Sequence, residues 1–161
     1  MVLTFGDIIA ALALIITVIS IFFAIFQWKK SIALQRTKFI YDILDKFQCD
    51  RDMSDAFYLV SYSNNWYINF HTNSENEYKI DKLLLWLTYV CYLIETGNIK
   101  DNELNIVDYT LCRVLRSKAV KEYLKDLNNI TNKRKIKCPY YYLILYGVQN
   151  NILHTSDYPQ Q

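Results

Sequence analysis

Positive charge and tyrosine rings collect in the C-terminal third of the chain. Residues 113–137 carry nine basic and two acidic side chains, a net charge of +7, whereas residues 39–112 carry twelve acidic and five basic ones, a net charge of −7. Ammonium and guanidinium groups bind phosphates, and a ring that stacks on a base contributes about 1–3 kcal/mol. The pattern predicts a site for a nucleotide or a single-stranded oligonucleotide. We assign to it Arg113, Arg116, Lys121, Lys133, Arg134, Lys135, Lys137 and Tyr140, flanked by Lys118, Lys125, Tyr141 and Tyr142.

Two other interpretations of these residues stay open. The basic run could be a solvated loop beside buried tyrosines, or it could be attracted to anionic lipid head groups. A run such as 133–137 does not by itself distinguish these interpretations from a ligand site.

A second pattern lies near the N-terminus, where small and weakly polar residues recur at spacings of 4, 3, 4, 3, 4 and 3. Between helices in lipid, small residues allow close packing, and hydroxyl or amide groups bond across the interface, so the pattern predicts self-association. Its 3.5-residue period predicts a left-handed bundle of nearly parallel helices. This heptad seam consists of Gly6, Ala10, Ala13, Thr17, Ser20, Ala24 and Gln27.

In a bundle of four or more helices, the heptad seam would face the central axis and line a pore. Rings of uncharged hydroxyl and amide groups could pass hydrated ions with little charge selectivity, and alanine rings could close by dewetting. The alternative is that the seam only dimerises an anchor that tethers a binding or scaffold domain. The predicted pore-lining residues are Ala10, Ala13, Thr17, Ser20, Ala24 and Gln27.

Residues that could carry catalysis or hold a metal are few. Neither His71 nor His154 has Cys, Asp or Glu at ligand spacing, and three glycines provide no phosphate-binding loop. We therefore expect no enzyme, no metal and no cofactor, and both histidines at the surface. The cysteines are far apart and lack a C-x-x-C pair, which indicates reduced, apolar core residues. They are Cys49, Cys91, Cys112 and Cys138.

The heptad seam requires a helix to carry it, and residues 8–26 meet that requirement. These 19 residues are uncharged, and 13 of them are Ile, Leu, Val or Phe. As a helix they measure about 29 Å, close to the roughly 30 Å hydrocarbon core of a bilayer. A cleaved signal peptide fits poorly, because no Lys or Arg precedes the segment and no small-x-small cleavage site follows it. We predict a transmembrane anchor over residues 1–28.

Basic residues on one side of the span set its direction. Lys29, Lys30, Arg36 and Lys38 follow it, and no Lys or Arg precedes it. The positive-inside rule then places the N-terminus outside and the rest of the chain in the cytoplasm, with Trp28 at the interface. Reduced cysteines agree with that compartment.

The remaining chain predicts an all-α domain. No Gly or Pro occurs between Asp7 and Thr96, so the anchor is expected to continue as a juxtamembrane helix over 29–48. A helical cytoplasmic domain is predicted over 49–154. Residues 155–161 have nothing to bury and are expected to form a mobile tail.

The central helix of this domain is bracketed by two local signals. Ser74 and Glu77 form a capping box, and Gly97 is a C-terminal stop. The stretch 83–94 between them is apolar on every side, which favours burial in the centre of the domain.

Shorter helices are predicted on both sides of the central helix, from periodic apolar residues and start signals. Residues 140–146, after Pro139, fit either a helix or a strand. The shorter helices are one over 57–62, with start signals at Asp50, Asp52 and Ser54 and an end at Asn64 and Asn65, one opened by Asp101, and one over 120–127.

The order of these elements resembles that of a known family. The resemblance lies in the anchor, the basic juxtamembrane helix, the stretch 83–97 with Leu84, Leu87, Tyr92, Leu93, Glu95 and Gly97, and the helix opened by Asp101. It is similar to small bacterial membrane proteins of antiphage defence islands, in particular the Hailong-type effectors of nucleotide-signalling defence. The resemblance implies a homotetrameric ion channel in the bacterial inner membrane. Its state would be controlled by an oligodeoxyadenylate made by a partner nucleotidyltransferase, which either opens or closes the bundle.

Overall fold

The computed structural model describes residues 5–63, 66–67, 74–99, 103 and 105–158. Within these ranges every regular element is helical, which confirms the all-α prediction, and residues 140–146 fall largely in a helix instead of a strand. The elements are α1 Phe5–Cys49, α2 Arg51–Tyr62, α3 Ser74–Glu95, α4 Asn105–Arg116, α5 Lys118–Lys133, α6 Tyr141–Gln149 and a 3₁₀ turn, Thr155–Asp157.

The chain forms two compact units, Met1–Asp42 and Ile43–Gln161. The first unit consists of most of α1, the one helix among the described residues that is long and apolar enough to cross a membrane. Helix α1 runs without interruption through the predicted juxtamembrane segment, as expected from the absence of Gly and Pro. The second unit begins earlier than the predicted domain start at residue 49, because Ile43 is buried and Phe47 stacks on Trp86.

Helix α3 is the centre of the second unit. It packs against α2 and α6, while α4 packs against α2 and α5. Its inward face is fully buried, so the prediction of a central helix is confirmed for that face. The prediction that 83–94 is buried all round is wrong for the opposite face, where Leu85, Tyr89 and Tyr92 are exposed.

Local capping signals place two helix ends correctly. Asp50 caps α2, since its carboxylate accepts the backbone N–H groups of Asp52 and Met53 at 3.1 and 3.2 Å. Beyond α3, Gly97 has a φ of +70° and its N–H donates to the carbonyl of Ile94, a conformation that favours glycine. The signals at Asn64, Asn65 and Asp101, the side chain of Ser74 and the position of His71 lie outside the described residues.

A half-buried carboxylate joins α3, α5 and the start of α6 in the second unit. The hydroxyls of Tyr123 on α5 and Tyr140, which precedes α6, both donate to the same oxygen of Asp81 on α3, at 2.5 and 2.6 Å. Both rings are buried. Burial and these hydrogen bonds raise the pKa of both tyrosines, so each keeps its proton and remains a donor.

The C-terminal segment packs more tightly than the sequence indicated. Tyr158 is only 3% exposed, and its hydroxyl donates to the carbonyl of Lys121 at 3.0 Å. Asp157 pairs with Lys125 at 2.8 Å. The expectation that residues 155–161 bury nothing is therefore wrong for Tyr158, because its ring is buried and its hydroxyl binds a backbone carbonyl. Residues 159–161 lie outside the described part of the chain.

The four cysteines are free thiols in different surroundings. Cys91 and Cys138 are buried, as expected, and burial raises the pKa of both. Cys112 is half-buried. The expectation of a core position is wrong for Cys49, which is exposed at the end of α1 beside the carboxylate of Asp45.

Replacement of Asp81 by alanine is expected to lower the free energy of unfolding of the second unit by about 2–3 kcal/mol. Two buried hydroxyls lose their acceptor, and each unsatisfied group costs about 1–3 kcal/mol. The matched control is Asp126→Ala, because Asp126 also accepts a tyrosine hydroxyl, that of Tyr67, but at an exposed site. Its cost should stay below about 1 kcal/mol. Denaturant unfolding of the full chain in detergent, followed by near-UV circular dichroism, measures both; equal losses would contradict the prediction.

Candidate functional site

The heptad seam lies on an exposed face of α1. Each of its seven residues is exposed in the single chain. The hydroxyl of Thr17 donates to the carbonyl of Ala13, and that of Ser20 to the carbonyl of Ile16, both at 2.8 Å. Because each proton is used within the helix, each oxygen keeps lone pairs that accept hydrogen bonds from water or contact a cation. The pore-lining assignment itself stays a prediction.

The basic residues of the predicted ligand site occupy three different surroundings. In the first, the guanidinium of Arg113 lies over the rings of Tyr62 and Tyr109, at 5.2 and 5.9 Å from their centroids. One of its N–H groups donates to the hydroxyl of Tyr109 at 3.0 Å. Tyr58 stacks on Tyr62, with centroids 6.1 Å apart and planes within 14°. We call Tyr58, Tyr62, Tyr109 and Arg113 the arginine cluster.

Sequence reasoning found only Arg113 of the arginine cluster. The three tyrosines are well exposed, Tyr62 at 76%, so a ligand can reach this cluster from solvent. The available signal was the spacing: Tyr58 with Tyr62 and Tyr109 with Arg113 are both four residues apart on a helix, where side chains are neighbours. That signal does not reveal that α2 and α4 bring the two pairs together.

In the second surrounding, the last residue of α5 and the turn that follows it, residues 133–137, are exposed, and we call them the cationic loop. The N–H of Ile136 donates to the carbonyl of Thr131, and that of Lys135 to the carbonyl of Asn132, which is a Schellman ending for the helix. Lys135 has a φ of +55°, a left-handed conformation that costs a residue with a side chain about 1 kcal/mol or more.

The last cation of this loop is held by aromatic rings. The ammonium of Lys137 lies over Tyr141 and Tyr142, at 4.2 and 5.0 Å from their centroids. Tyr142 in turn contacts Tyr92 edge to face at 5.0 Å. The expected pairing of basic and aromatic side chains therefore exists at Lys137. It does not exist at Tyr140, which is 3% exposed and bound to Asp81, so its inclusion in a ligand site is wrong.

The third surrounding lies at the C-terminus of the second unit. Lys121 and Lys125 line an open pocket of about 170 Å³. Lys125 is paired with Asp157, and their hydrogen bond lowers the pKa of that carboxyl. Arg116 and Lys118 are exposed at the junction of α4 and α5, and Lys118 is 3.9 Å from Glu122. The pocket is lined by Lys121, Glu122, Lys125, Leu153, His154, Asp157 and Tyr158.

Replacement of Lys135 by glycine is expected to raise the free energy of unfolding by about 0.5–1 kcal/mol, because glycine adopts φ of +55° without strain. Lys133→Gly is the matched control. It removes the same charge from the same loop but places glycine in the last turn of α5, and it should lower stability by up to about 1 kcal/mol. Unfolding in denaturant measures both; shifts of the same sign would contradict the assignment.

The chemistry of these arrangements is that of binding. Among the described residues, no group of three or more His, Cys, Asp or Glu side chains could hold a metal ion. The arginine cluster and the cationic loop offer cations for phosphate groups and rings for bases, and the heptad seam offers small residues and hydroxyl oxygens. No family model, no curated protein and no solved structure matches this chain.

Proposed function

We propose that the chain assembles into a homo-oligomeric membrane pore that is controlled by a nucleotide or single-stranded oligonucleotide bound to its helical domain. The observation that carries the proposal is the unbroken heptad seam on an exposed apolar helix. It combines a surface for close helix packing with oxygen atoms that tolerate water.

The two faces of α1 suit two different neighbours. Away from the seam, large apolar residues such as Ile15, Ile19 and Phe22 are exposed and match the acyl chains of lipid. Along the seam, alanines permit close approach of helices. In an oligomer of four or more copies, the oxygens of Thr17 and Ser20 form rings around the axis. Since their protons are bound to backbone carbonyls, these rings present acceptors, which suits hydrated cations somewhat better than anions.

The helical domain supplies the control. The arginine cluster offers a guanidinium for phosphate and exposed rings for bases, and the cationic loop adds four further charges. A ligand shifts the pore only to the extent that it binds the open and closed states with different affinity. In this proposal the N-terminus is outside, the helical domain is cytoplasmic and the membrane is a bacterial inner membrane, in line with the basic residues after the span.

The resemblance to Hailong-type effectors extends the proposal to a biological role. The pore would be a tetramer, and it would act as the effector of an antiphage defence system. The ligand would be an oligonucleotide signal from a partner nucleotidyltransferase. Depolarisation of the membrane would then be the output of the system.

Thr17→Leu combined with Ser20→Leu is expected to abolish membrane depolarisation upon overexpression, because leucine rings replace the hydroxyl oxygens and exclude water from the axis. The matched control is Ile15→Leu with Ile19→Leu on the opposite face, which should depolarise like the unmodified chain. A potential-sensitive dye reports the effect, and membrane fractionation shows that both variants are inserted. Depolarisation by the Thr17 and Ser20 variant would refute the pore.

A membrane-tethered scaffold is the competing interpretation, and exchange of the span tests it. If α1 only anchors the chain, then the chain keeps its effect on cells when a polyleucine span replaces residues 8–26. If α1 lines a pore, then the exchange removes depolarisation while the protein stays in the membrane.

Arg113→Gln is expected to weaken binding of a short single-stranded oligonucleotide by about tenfold or more, the value of one charge-assisted hydrogen bond. Charge reversal of the loop by Lys133→Glu, Arg134→Glu and Lys135→Glu should abolish binding and flatten its salt dependence. Lys118→Gln, which removes an exposed cation outside both sites, is the control and should change affinity less than about threefold. Fluorescence anisotropy at two salt concentrations measures these effects; unchanged affinity in the first two variants would place the ligand elsewhere.

A further inference from the structure

A stripe of large apolar side chains lies on the outward face of α3. Tyr78, Leu85, Tyr89 and Tyr92 are 64%, 50%, 49% and 39% exposed. They follow one another at spacings of 7, 4 and 3, the same 3.5-residue period as the heptad seam of α1. We call these four residues the α3 stripe. It extends over about 21 Å, or four turns of helix.

Between Tyr78 and Leu85 the register contains one charged residue, Lys82. Its ammonium contacts the carboxylates of Asp50 and Asp52 at 2.7 and 3.0 Å. Hydrogen bonds to the two carboxylates raise the pKa of Lys82. The hydrogen bond from Lys82 lowers the pKa of Asp50. The charge on the stripe is thus balanced within the same chain, and a neighbouring helix would meet no unpaired ammonium there.

The stripe continues onto α6 at one end. Tyr92 contacts the half-buried ring of Tyr142 edge to face, and Tyr142 contacts Tyr141 in the same way. These contacts hold the Tyr92 ring in place, so less side-chain entropy is lost when another surface covers it. The opposite side of α3 has no room for a partner, because Ile80, Leu83 and Leu87 are fully buried.

We infer that the α3 stripe packs against the α3 stripe of a second copy of this chain. A 3.5-residue repeat of Tyr and Leu is the pattern by which two nearly parallel helices interlock their side chains. Because the same residues face each other across the contact, the pairing is self-complementary and joins copies in twos.

The exposed area favours a second copy over a freely diffusing partner. The four side chains offer roughly 400 Å², taking about 150–250 Å² for a whole aromatic residue. A stable interface between separate proteins needs about 800 Å² from each partner. A patch of half that size is sufficient when the two partners are already held together, because tethering raises their effective concentration to the millimolar range. This step rests on the proposed function, since the span is what holds the copies together.

Disulfide cross-linking of the full chain in native membranes tests the inference. In a background with Cys49→Ser and Cys112→Ser, the thiols that remain, Cys91 and Cys138, are buried. Leu85→Cys and Tyr89→Cys place one new thiol on the stripe, and Asn129→Cys places one at an exposed position of α5 as the matched control. We expect mild oxidation to give covalent dimers at least tenfold more abundantly from the two stripe variants than from the control. Adding Tyr89→Lys to the Leu85→Cys chain should lower its dimer yield at least fivefold.

The mass of the assembly in detergent, read together with the cross-linking, distinguishes failure of the α3 contact from failure of the proposed oligomer. An oligomer whose stripe cysteines cross-link no better than Asn129→Cys overturns the α3 contact and leaves the pore intact. A chain that is monomeric, with no covalent dimers, overturns both. An oligomer with efficient stripe cross-linking supports the α3 contact. This holds even if the Thr17 and Ser20 variant still depolarises cells, a result that refutes the pore but not the contact.

Discussion

The second unit depends on one carboxylate that two buried tyrosine hydroxyls share. Asp81 joins α3 to α5 through Tyr123 and to the start of α6 through Tyr140. A carboxylate in such a place is tolerated because its charge is stabilised by two short hydrogen bonds. The cationic loop lies between these two tyrosines in the sequence, so the helix before it and the start of the helix after it are both bound to the same residue. The position of the loop's charges is therefore a consequence of a contact in the core.

Apolar surface is the second constraint. Hydrophobic residues make up 52% of the chain, and many of the large ones are exposed in the single chain. Most of this surplus lies on α1 and on the outward face of α3. A 3.5-residue period occurs on both helices, in the small residues of the heptad seam and in the large residues of the α3 stripe. A surplus without period would indicate lipid contact on all sides. A period that matches helix packing indicates contact with other helices, and the repetition of the same period in both units favours copies of the same chain.

Features set by neighbours in the sequence were predictable, and features set by distant residues were not. The cap at Asp50 and the end of α3 near Gly97 depend on residues within one turn, and both predictions are confirmed. The sequence pattern places Tyr140 in a ligand site because a tyrosine beside lysines has the same pattern whether it is exposed or buried. Its partner Asp81 is 59 residues away. The same reason hides the contact between Tyr62 and Arg113, since Tyr62 meets Arg113 only where α2 packs on α4.

Helix α2 connects the arginine cluster to the α3 stripe. At its C-terminal end Tyr62 lies under Arg113 of α4, and at its N-terminal end Asp50 and Asp52 bind Lys82 of α3. In the proposed complex, a phosphate would bind the guanidinium of Arg113, which lies over two rings and donates to the hydroxyl of Tyr109. The contact between Arg113 and Tyr62 would then change at one end of a twelve-residue helix whose other end binds Lys82 of the stripe register. In the proposed assembly, α2 gives a ligand at the arginine cluster a short route to the surface where we infer that copies meet.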